Sequence, residues 1–598
     1  MPRKLVVPSF LVLRLAFAPA VAAAGEGADS DRASLSRGGD TVAVLASPPE
    51  ASRAQVDDAL RRERHQQVDA IFAPWSGKTT PGCAVGISRD DVLDYVRGYG
   101  MSNLEHDVPI TPQSNFQVAS ISKQFTASAI GLLAQEGRLS LSDDIRKYLP
   151  ELPAYGKTIT LAHLLHHTSG LREEGQLLNL AGWRGDDVYT EADILWALTR
   201  QRGVNFAPGT EVVYGNAPYT LLAVIVRRVS GKSLRGFTDE RLFKPLGMAD
   251  THFHDDHTEL VPRRASGYSP RDGGGWRVSI LNTDHYGSTN LFTTVGDLLK
   301  WEQNLLDARV GGRALSTSLQ TSGRLNDGTP IGYGGGLHLA DYRGLRMVGH
   351  DGMGGGYRTD VILFPDQRLA IVALCNGATI PVSDLTRKVA EVYLGDLLKD
   401  VIPPAVALPE AELAALAGDY WSPWTDEVVR LEVKDGALRQ VGVPTAFVPM
   451  GQGAFRPGES THVWRFSAPT ARAPRELSIQ DFWPTTRKFI RVAEPLPTVS
   501  GLASFAGQYR SDEVDMTYTV RVADGRLAIR WPRRDEVVLD ALGGDRFIGS
   551  LGTVTFTRAA SGGVDGVTFS NRRLRRLRAE RLGARPGPEH ASEPGLAR

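Results

Sequence analysis

Two cysteines in 598 residues, Cys83 and Cys375, are too few for a disulfide framework. Each sits in an apolar run, Cys83-Ala84-Val85-Gly86-Ile87 and Ala370-Ile371-Val372-Ala373-Leu374-Cys375, and is expected as a buried strand residue; whether the two pair is left open. Neither has a histidine and a carboxylate beside it, so a thiol nucleophile is not indicated. No Gly-x-Ser-x-Gly occurs, which argues against the strained nucleophile turn of an α/β-hydrolase. Met353-Gly354-Gly355-Gly356 lacks the lysine and helix pattern of a phosphate-binding loop. Net charge is also missing. Lys plus Arg number 68 and Asp plus Glu number 68, so the balance points neither to nucleic acid nor to an anionic membrane. The basic run Asn571 to Arg578 is read as a solvated strand and tail. Beyond the first two dozen residues no segment is long and apolar enough to span a bilayer.

What is present is a chain too long for one core. Residues 1–24 read as an export signal, with Arg3 and Lys4 before a mostly apolar stretch and Ala22-Ala23-Ala24 as cleavage site, so a periplasmic or secreted location is expected. Residues 25–52 form a Gly/Ala/Ser-rich leader. Residues 53–400 hold a catalytic-domain candidate. Its helical patterns fall at Ala54 to Phe72, Ser122 to Glu136, Thr160 to His166 and Tyr219 to Val229. Strand patterns fall at Cys83 to Ile87, Val92 to Gly98, Tyr333 to Leu339, Arg346 to His350, Tyr357 to Phe364 and Leu369 to Cys375. Strands at both ends with helices between predict an α/β layer fold closed by strands distant in sequence. A Pro-rich hinge near Pro403-Pro404 leads to short strands and an internal repeat. Leu416-Ala417-Gly418-Asp419-Tyr420 matches Phe505-Ala506-Gly507-Gln508-Tyr509, and Val433 to Leu438 matches Val522 to Leu527 at the same offset. Two small antiparallel β-barrels are therefore expected, at 405–495 and 500–583, followed by a disordered tail at 584–598.

Ser120 is the one serine with a lysine three positions on, Lys123. At a helix start that spacing places both on one face, where a desolvated lysine can take the serine proton and the helix N-terminus favours developing negative charge. Alone the tetrapeptide is weak. Tyr214-Gly215-Asn216, before a helical run, and His350-Asp351-Gly352, opening the glycine-rich segment, follow in order.

With Phe116-Gln117-Val118-Ala119-Ser120-Ile121-Ser122-Lys123, Leu164-Leu165-His166-His167-Thr168-Ser169-Gly170 and Pro245-Leu246-Gly247-Met248, the segment from about residue 60 to 395 resembles the penicillin-recognising serine hydrolases, in the branch of class C β-lactamases, D-aminopeptidases and related esterases. The resemblance implies an α/β (α+β) serine β-lactamase-like domain with an antiparallel sheet flanked by helices, and a layout like D-aminopeptidase with its two appended barrels. It implies Ser120 as nucleophile, Lys123 and Tyr214 as shared base and acid, Asn216 holding Lys123 and contacting substrate, and the backbone N–H groups of Ser120 and Met353 as oxyanion hole. His350 and Gly352 would line the substrate site. His350 stands where Lys-Thr-Gly members carry a permanent cation, and a histidine is mostly neutral at pH 7. That favours D-amino-acid peptides, amides or small esters over β-lactams or D-Ala-D-Ala substrates. The resemblance also implies a barrel loop that narrows the cleft, which the sequence does not locate. No cofactor, nucleic-acid partner or membrane span is expected; the partner is a small molecule or short peptide, and oligomeric state is left open.

Two rival readings face features of the same sequence. Thr251-His252-Phe253-His254-Asp255-Asp256-His257 spells a His-x-His-x-Asp-His zinc signature, but it follows Pro-Leu-Gly-Met rather than a buried strand and is expected in a surface loop. A non-catalytic binding protein on the same fold would not need Ser120, Lys123 and Tyr214 together. His163, His166 and His167 are read as packing or hydrogen-bonding residues.

Overall fold

The computed structural model describes residues 53–583 apart from 280, 400–404, 459, 461, 469–473, 481–482 and 494–496. The expected signal, leader, Pro403-Pro404 hinge and tail lie outside the described residues. The chain divides into a unit of residues 1–58 and a unit of residues 59–598, and the second holds every β-sheet and the site.

The catalytic-domain sheet is made of β1 (Cys83–Arg89), β2 (Val92–Tyr99), β3 (His338–Tyr342), β4 (Leu345–Gly354), β5 (Tyr357–Phe364) and β6 (Leu369–Cys375). Its order is β3-β4-β5-β6-β1-β2, antiparallel throughout, so the N-terminal hairpin pairs with the last strand of the domain. Helices cover both faces: α1 (Arg53–Phe72), α2 (Ser122–Gln135), α3 (Ala217–Ser230), α4 (Val295–Asp307) and α5 (Val382–Leu394). Alternation along β1 shows the two layers. Cys83, Val85 and Ile87 join Phe72, Val389 and Tyr393, whereas Ala84 joins the larger core containing Phe125, Leu222 and Leu298. A sheet buried on both faces explains why β6 is an unbroken apolar run with all seven residues buried. Gly86 lets α4 lie close to the sheet, since a Cβ there would stand 3.1 Å from Leu299 and 3.3 Å from Val295. Cys83 and Cys375 face each other across β1 and β6 and form a disulfide.

Helix α2 is buried on nearly every side, so each of its polar side chains needs a partner. Thr126 donates to the Gly287 carbonyl at 2.7 Å, Ser128 to the Gln124 carbonyl at 2.7 Å, and Trp301 donates its indole N–H to Gln124 at 2.8 Å. Helix α3 begins with Pro218 in its first turn and ends at Gly231 in the left-handed conformation. Tyr333, expected in a strand, lies in the Tyr333-Gly334-Gly335-Gly336 loop, and the strand starts at His338. The glycines account for the shift: Gly334 packs on the Leu319 carbonyl and Gly336 on the start of α2, both too close for a Cβ.

The repeat is structural. In both β domains a buried tyrosine donates its hydroxyl back four residues, Tyr420 to the Leu416 carbonyl at 2.9 Å and Tyr509 to the Phe505 carbonyl at 2.7 Å. An arginine of the last strand then closes each start: Arg491 reaches the carbonyls of Ala415 and Ala417, and Arg581 those of Ser504 and Ala506. Asp435-Gly436 and Asp524-Gly525 turn both matching hairpins with positive φ at both positions. The second domain, from Gly507–Ser511 to Leu574–Arg581, is a closed eight-stranded barrel. The first is an eight-stranded sheet whose outer strands meet through an isolated Arg439–Ala446 bridge rather than a full ladder. The closed barrel shares its hydrophobic core with the catalytic domain, since Tyr518, Trp531 and Phe569 belong to the same cluster as Leu177 and Leu180. Tyr518 also donates to the Leu180 carbonyl at 2.9 Å, and Arg172 and Glu513 form a buried ion pair at 2.6 Å.

Candidate active site

Ser120 lies in a short 3-10 turn, Ala119–Ile121, that runs directly into α2. Ala119 adopts a positive φ of 45°, an unusual conformation for a residue with a Cβ, immediately before the serine. The turn is held from both sides. Thr359 on β5 donates to the Val118 carbonyl at 3.1 Å, and Leu291 accepts the Val118 N–H at 2.9 Å. Gly352 on β4 comes so near that a Cβ would fall 2.3 Å from the Val118 carbonyl oxygen, so a glycine is required there. Met353 follows at the exposed edge of the same strand.

One turn into the helix, Lys123 is fully buried. Its Nζ is 3.1 Å from Ser120 Oγ, 2.9 Å from Asn216 Oδ1 and 2.8 Å from the Ser288 carbonyl. Burial disfavours the ammonium and lowers its pKa to about 7; Glu173 opposes this and Arg573 reinforces it. The Asn216 and Ser288 oxygens are pure acceptors, so they take two N–H bonds. In the neutral amine the lone pair is left for the serine.

Burial holds the pKa of Tyr214 well above the usual phenol value, and the neighbouring Ser120 opposes this. Its ring stands 4.9 Å from Lys123 Nζ. His350, buried at the end of the Tyr214 side, is kept neutral by burial and by His338 and Lys123 nearby. Its Nδ1–H donates to the Asp351 carbonyl at 2.6 Å, leaving Nε2 to accept from Tyr333 at 3.1 Å and Tyr214 at 3.4 Å. His167, also buried, packs 4.4 Å from the Tyr214 ring and accepts the Gly215 N–H. Thus Ser120, Lys123, Tyr214, Asn216, His350, Gly352 and Met353 are brought together from three separate stretches of chain.

Other residues at the site carry no sequence signal. Glu173 is buried, accepts the Asn216 N–H at 2.7 Å and lies 3.6 Å from Arg573. Arg573 comes from the tip of the last barrel hairpin, and its guanidinium lies 5.4 Å from the centre of the Tyr214 ring. The expectation of a merely solvated basic strand is therefore corrected: the Arg573 carbonyl accepts from Glu173 N at 3.1 Å, and Arg575 is buried in a pair with Glu211 at 2.9 Å. Trp483 of the first β domain packs 5.9 Å from both Tyr333 and His338. Both appended domains thus border the cleft. Their contacts are long-range, and the repeat that revealed the domains does not encode where they dock.

The His-x-His segment is also corrected. His252–Phe253 is a short strand paired with Leu291–Thr293, and Phe253 and His254 are buried rather than in a surface loop. Asp256 and His257 are separate from them and sit with Asp284 at the surface.

An antiparallel sheet with helices on both faces, and a Ser-Lys-Tyr cluster at the start of its central helix, define a class of serine hydrolases. The chain belongs to the beta-lactamase family, whose profile matches residues 66–394, more than half of its length. A D-aminopeptidase of Gluconobacter oxydans is 25% identical over 477 residues, spanning 79% of this chain and 86% of that protein. A penicillin-binding protein of Bacillus subtilis is 30% identical over 336 residues, spanning 53% of this chain and 73% of that one. In fold, the chain is similar to an octameric penicillin-binding protein homologue from Pyrococcus abyssi, with a TM-score of 0.53 at 22% identity over 72% of this chain and 99% of the other.

Proposed function

We propose that this hydrolase acts through an acyl-enzyme on Ser120 and cleaves D-amino-acid peptides or amides, or small esters. The observation that carries the reading is the hydrogen-bond set of Lys123: two fixed acceptors hold the amine, and its remaining direction meets Ser120 Oγ. Neutral Lys123 takes the serine proton as Oγ attacks the substrate carbonyl carbon, and the carbonyl electron pair moves onto oxygen. The backbone N–H groups of Ser120 and Met353 stabilise that oxyanion. Tyr214 gives its phenol proton to the leaving amine or alkoxide as the C–N or C–O bond breaks and the oxyanion re-forms the carbonyl, and it regains a proton from Lys123. Water then attacks the ester with the same groups reversed. Asn216 holds Lys123 and contacts the substrate amide; His350 and Gly352 shape the site around Tyr214 and Ser120.

The neutral, buried His350 supports an amide or ester substrate over one recognised by a fixed cation at that position. The Cys83–Cys375 disulfide supports the reading of an exported, periplasmic or secreted protein. Among the described residues no helix is long and apolar enough to cross a membrane. A panel of D-amino-acid amides, short-chain esters and β-lactams tests the substrate class. Turnover of the first two and not the third is expected. Turnover that survives Ser120→Ala and is lost with a chelator would transfer the chemistry to a metal. Inactivity of the folded protein on all three would favour a binding role.

A further inference from the structure

We propose that His252, His254 and Glu259 form a binding site for a zinc-like divalent transition-metal ion, separate from the hydrolytic site and structural in purpose. The site starts from strand geometry. Residues i and i+2 of a strand share a face, so Phe253 turns into the core while His252 and His254 both turn to the opposite side. There the two rings pack against Phe292, with centroids at 6.0 Å and 5.0 Å, and against each other at 5.7 Å.

The polar atoms of this pair are unusual. His254 is 3% exposed, yet neither of its ring nitrogens has a hydrogen-bond partner, and Nε2 of His252 is likewise buried without one. Buried imidazoles normally find a donor or acceptor. The carboxylate oxygen Glu259 Oε2 lies 3.7 Å from His254 Nδ1, too long for a hydrogen bond. It is close to the spacing of two ligands on one tetrahedral zinc, about 3.3–3.4 Å for metal–ligand bonds of about 2.0–2.1 Å. One ligand atom from each of the three side chains lies within 4.8 Å of the others. Arg235 pairs with both oxygens of Glu259, Nη1 to Oε2 at 2.6 Å and Nη2 to Oε1 at 2.7 Å, and with Asp255 at 2.8 Å, which fixes the carboxylate's orientation; each oxygen keeps a second lone pair that an ion can use. Arg264 is the other nearby cation, stacked 4.9 Å from the Phe292 ring centre. Asp255 and Glu259 offset the two guanidiniums, so binding is expected to be reversible rather than extremely tight.

The location gives the ion its purpose. The His252–Phe253 strand pairs with Leu291–Thr293, which pairs with Phe116–Gln117 just before Ser120. Asn290 donates to the His254 carbonyl at 2.9 Å, and two residues earlier the Ser288 carbonyl holds Lys123. An ion on His252 and His254 would brace the strand that positions both members of the Ser-Lys pair, without taking part in bond cleavage.

The test is calorimetric titration of chelator-dialysed full-length protein with zinc chloride, alongside its melting temperature. One zinc per chain and a rise in Tm with zinc concentration are expected. His252→Asn, His254→Asn and Glu259→Gln should each weaken binding by about ten-fold or more. His257→Asn and Asp284→Asn, in the exposed cluster, should leave it unchanged. Absence of saturable binding overturns the proposal, as does binding that follows His257 or Asp284 instead. If His254→Asn does not fold, the partly exposed Glu259 and His252 variants still decide the matter. Fluorophosphonate labelling of the zinc-free protein reads Ser120 separately, so failure of the metal site and failure of the hydrolase reading are distinguishable.

Discussion

The guanidinium of Arg573, carried by the C-terminal barrel, stands 5.4 Å from the ring of Tyr214 and 3.6 Å from the carboxylate of Glu173. A residue some 450 positions from Ser120 in sequence thereby enters the electrostatics of Lys123.

The pH profile should register this. Lys123 must be neutral to take the serine proton, so kcat/KM should rise with pH through a group near 7. The positive charge of Arg573 lowers the Lys123 pKa, so Arg573→Ala raises it and moves the acidic limb to higher pH. Glu173 acts in the opposite sense, and Glu173→Gln should move the limb to lower pH. Profiles for the three proteins check both signs; a shift in the same direction for both variants would contradict the electrostatic account.

The barrel should be integral to stability. Arg172 and Glu513 form a buried pair across the catalytic-domain and barrel interface, and Arg172 also holds Gln201. Removing one member strands the other charge, at a cost of about 3–5 kcal/mol. Glu513→Ala should lower the unfolding free energy from urea denaturation by that amount, while the double variant Arg172→Met/Glu513→Leu should recover much of the loss. Equal destabilisation by both would contradict the pairing.

Glu302 on α4 is fully buried with neither carboxylate oxygen hydrogen-bonded, and burial raises its pKa from 4.5 to about 8. The folded state therefore holds a proton that the unfolded state releases above 4.5. Stability linked to that proton is complete below 4.5 and is lost as pH rises toward 8. Glu302→Leu removes the buried polar group and should stabilise the protein by about 1–3 kcal/mol, with the larger gain at pH 8 than at pH 5. A pH-independent difference in Tm would contradict it.

Local patterns made much of this legible. Apolar runs marked β5 and β6 with their observed limits, and an i, i+3 spacing placed Lys123 beside Ser120. The Tyr420 and Tyr509 repeat exposed two related domains because each builds its own tyrosine and arginine closure. What stayed hidden depends on docking between distant segments. Glu173 has no motif; its meaning comes from Asn216 and Arg573 arriving from elsewhere. The Cys83–Cys375 bond needed the strand register, and the burial of His254 needed its pairing with the strand at Leu291. Tyr333 falls in the strand expected at Tyr333 to Leu339, whereas three glycines give it a loop from which it reaches His350.

The most direct measurement is peptide mapping by mass spectrometry after reaction with a fluorophosphonate, for the wild type, Ser120→Ala and Lys123→Met. The account predicts a single adduct on Ser120, none in Ser120→Ala, and labelling slowed by at least about a hundred-fold in Lys123→Met. An adduct on another residue, or undiminished substrate turnover by Ser120→Ala, would contradict it.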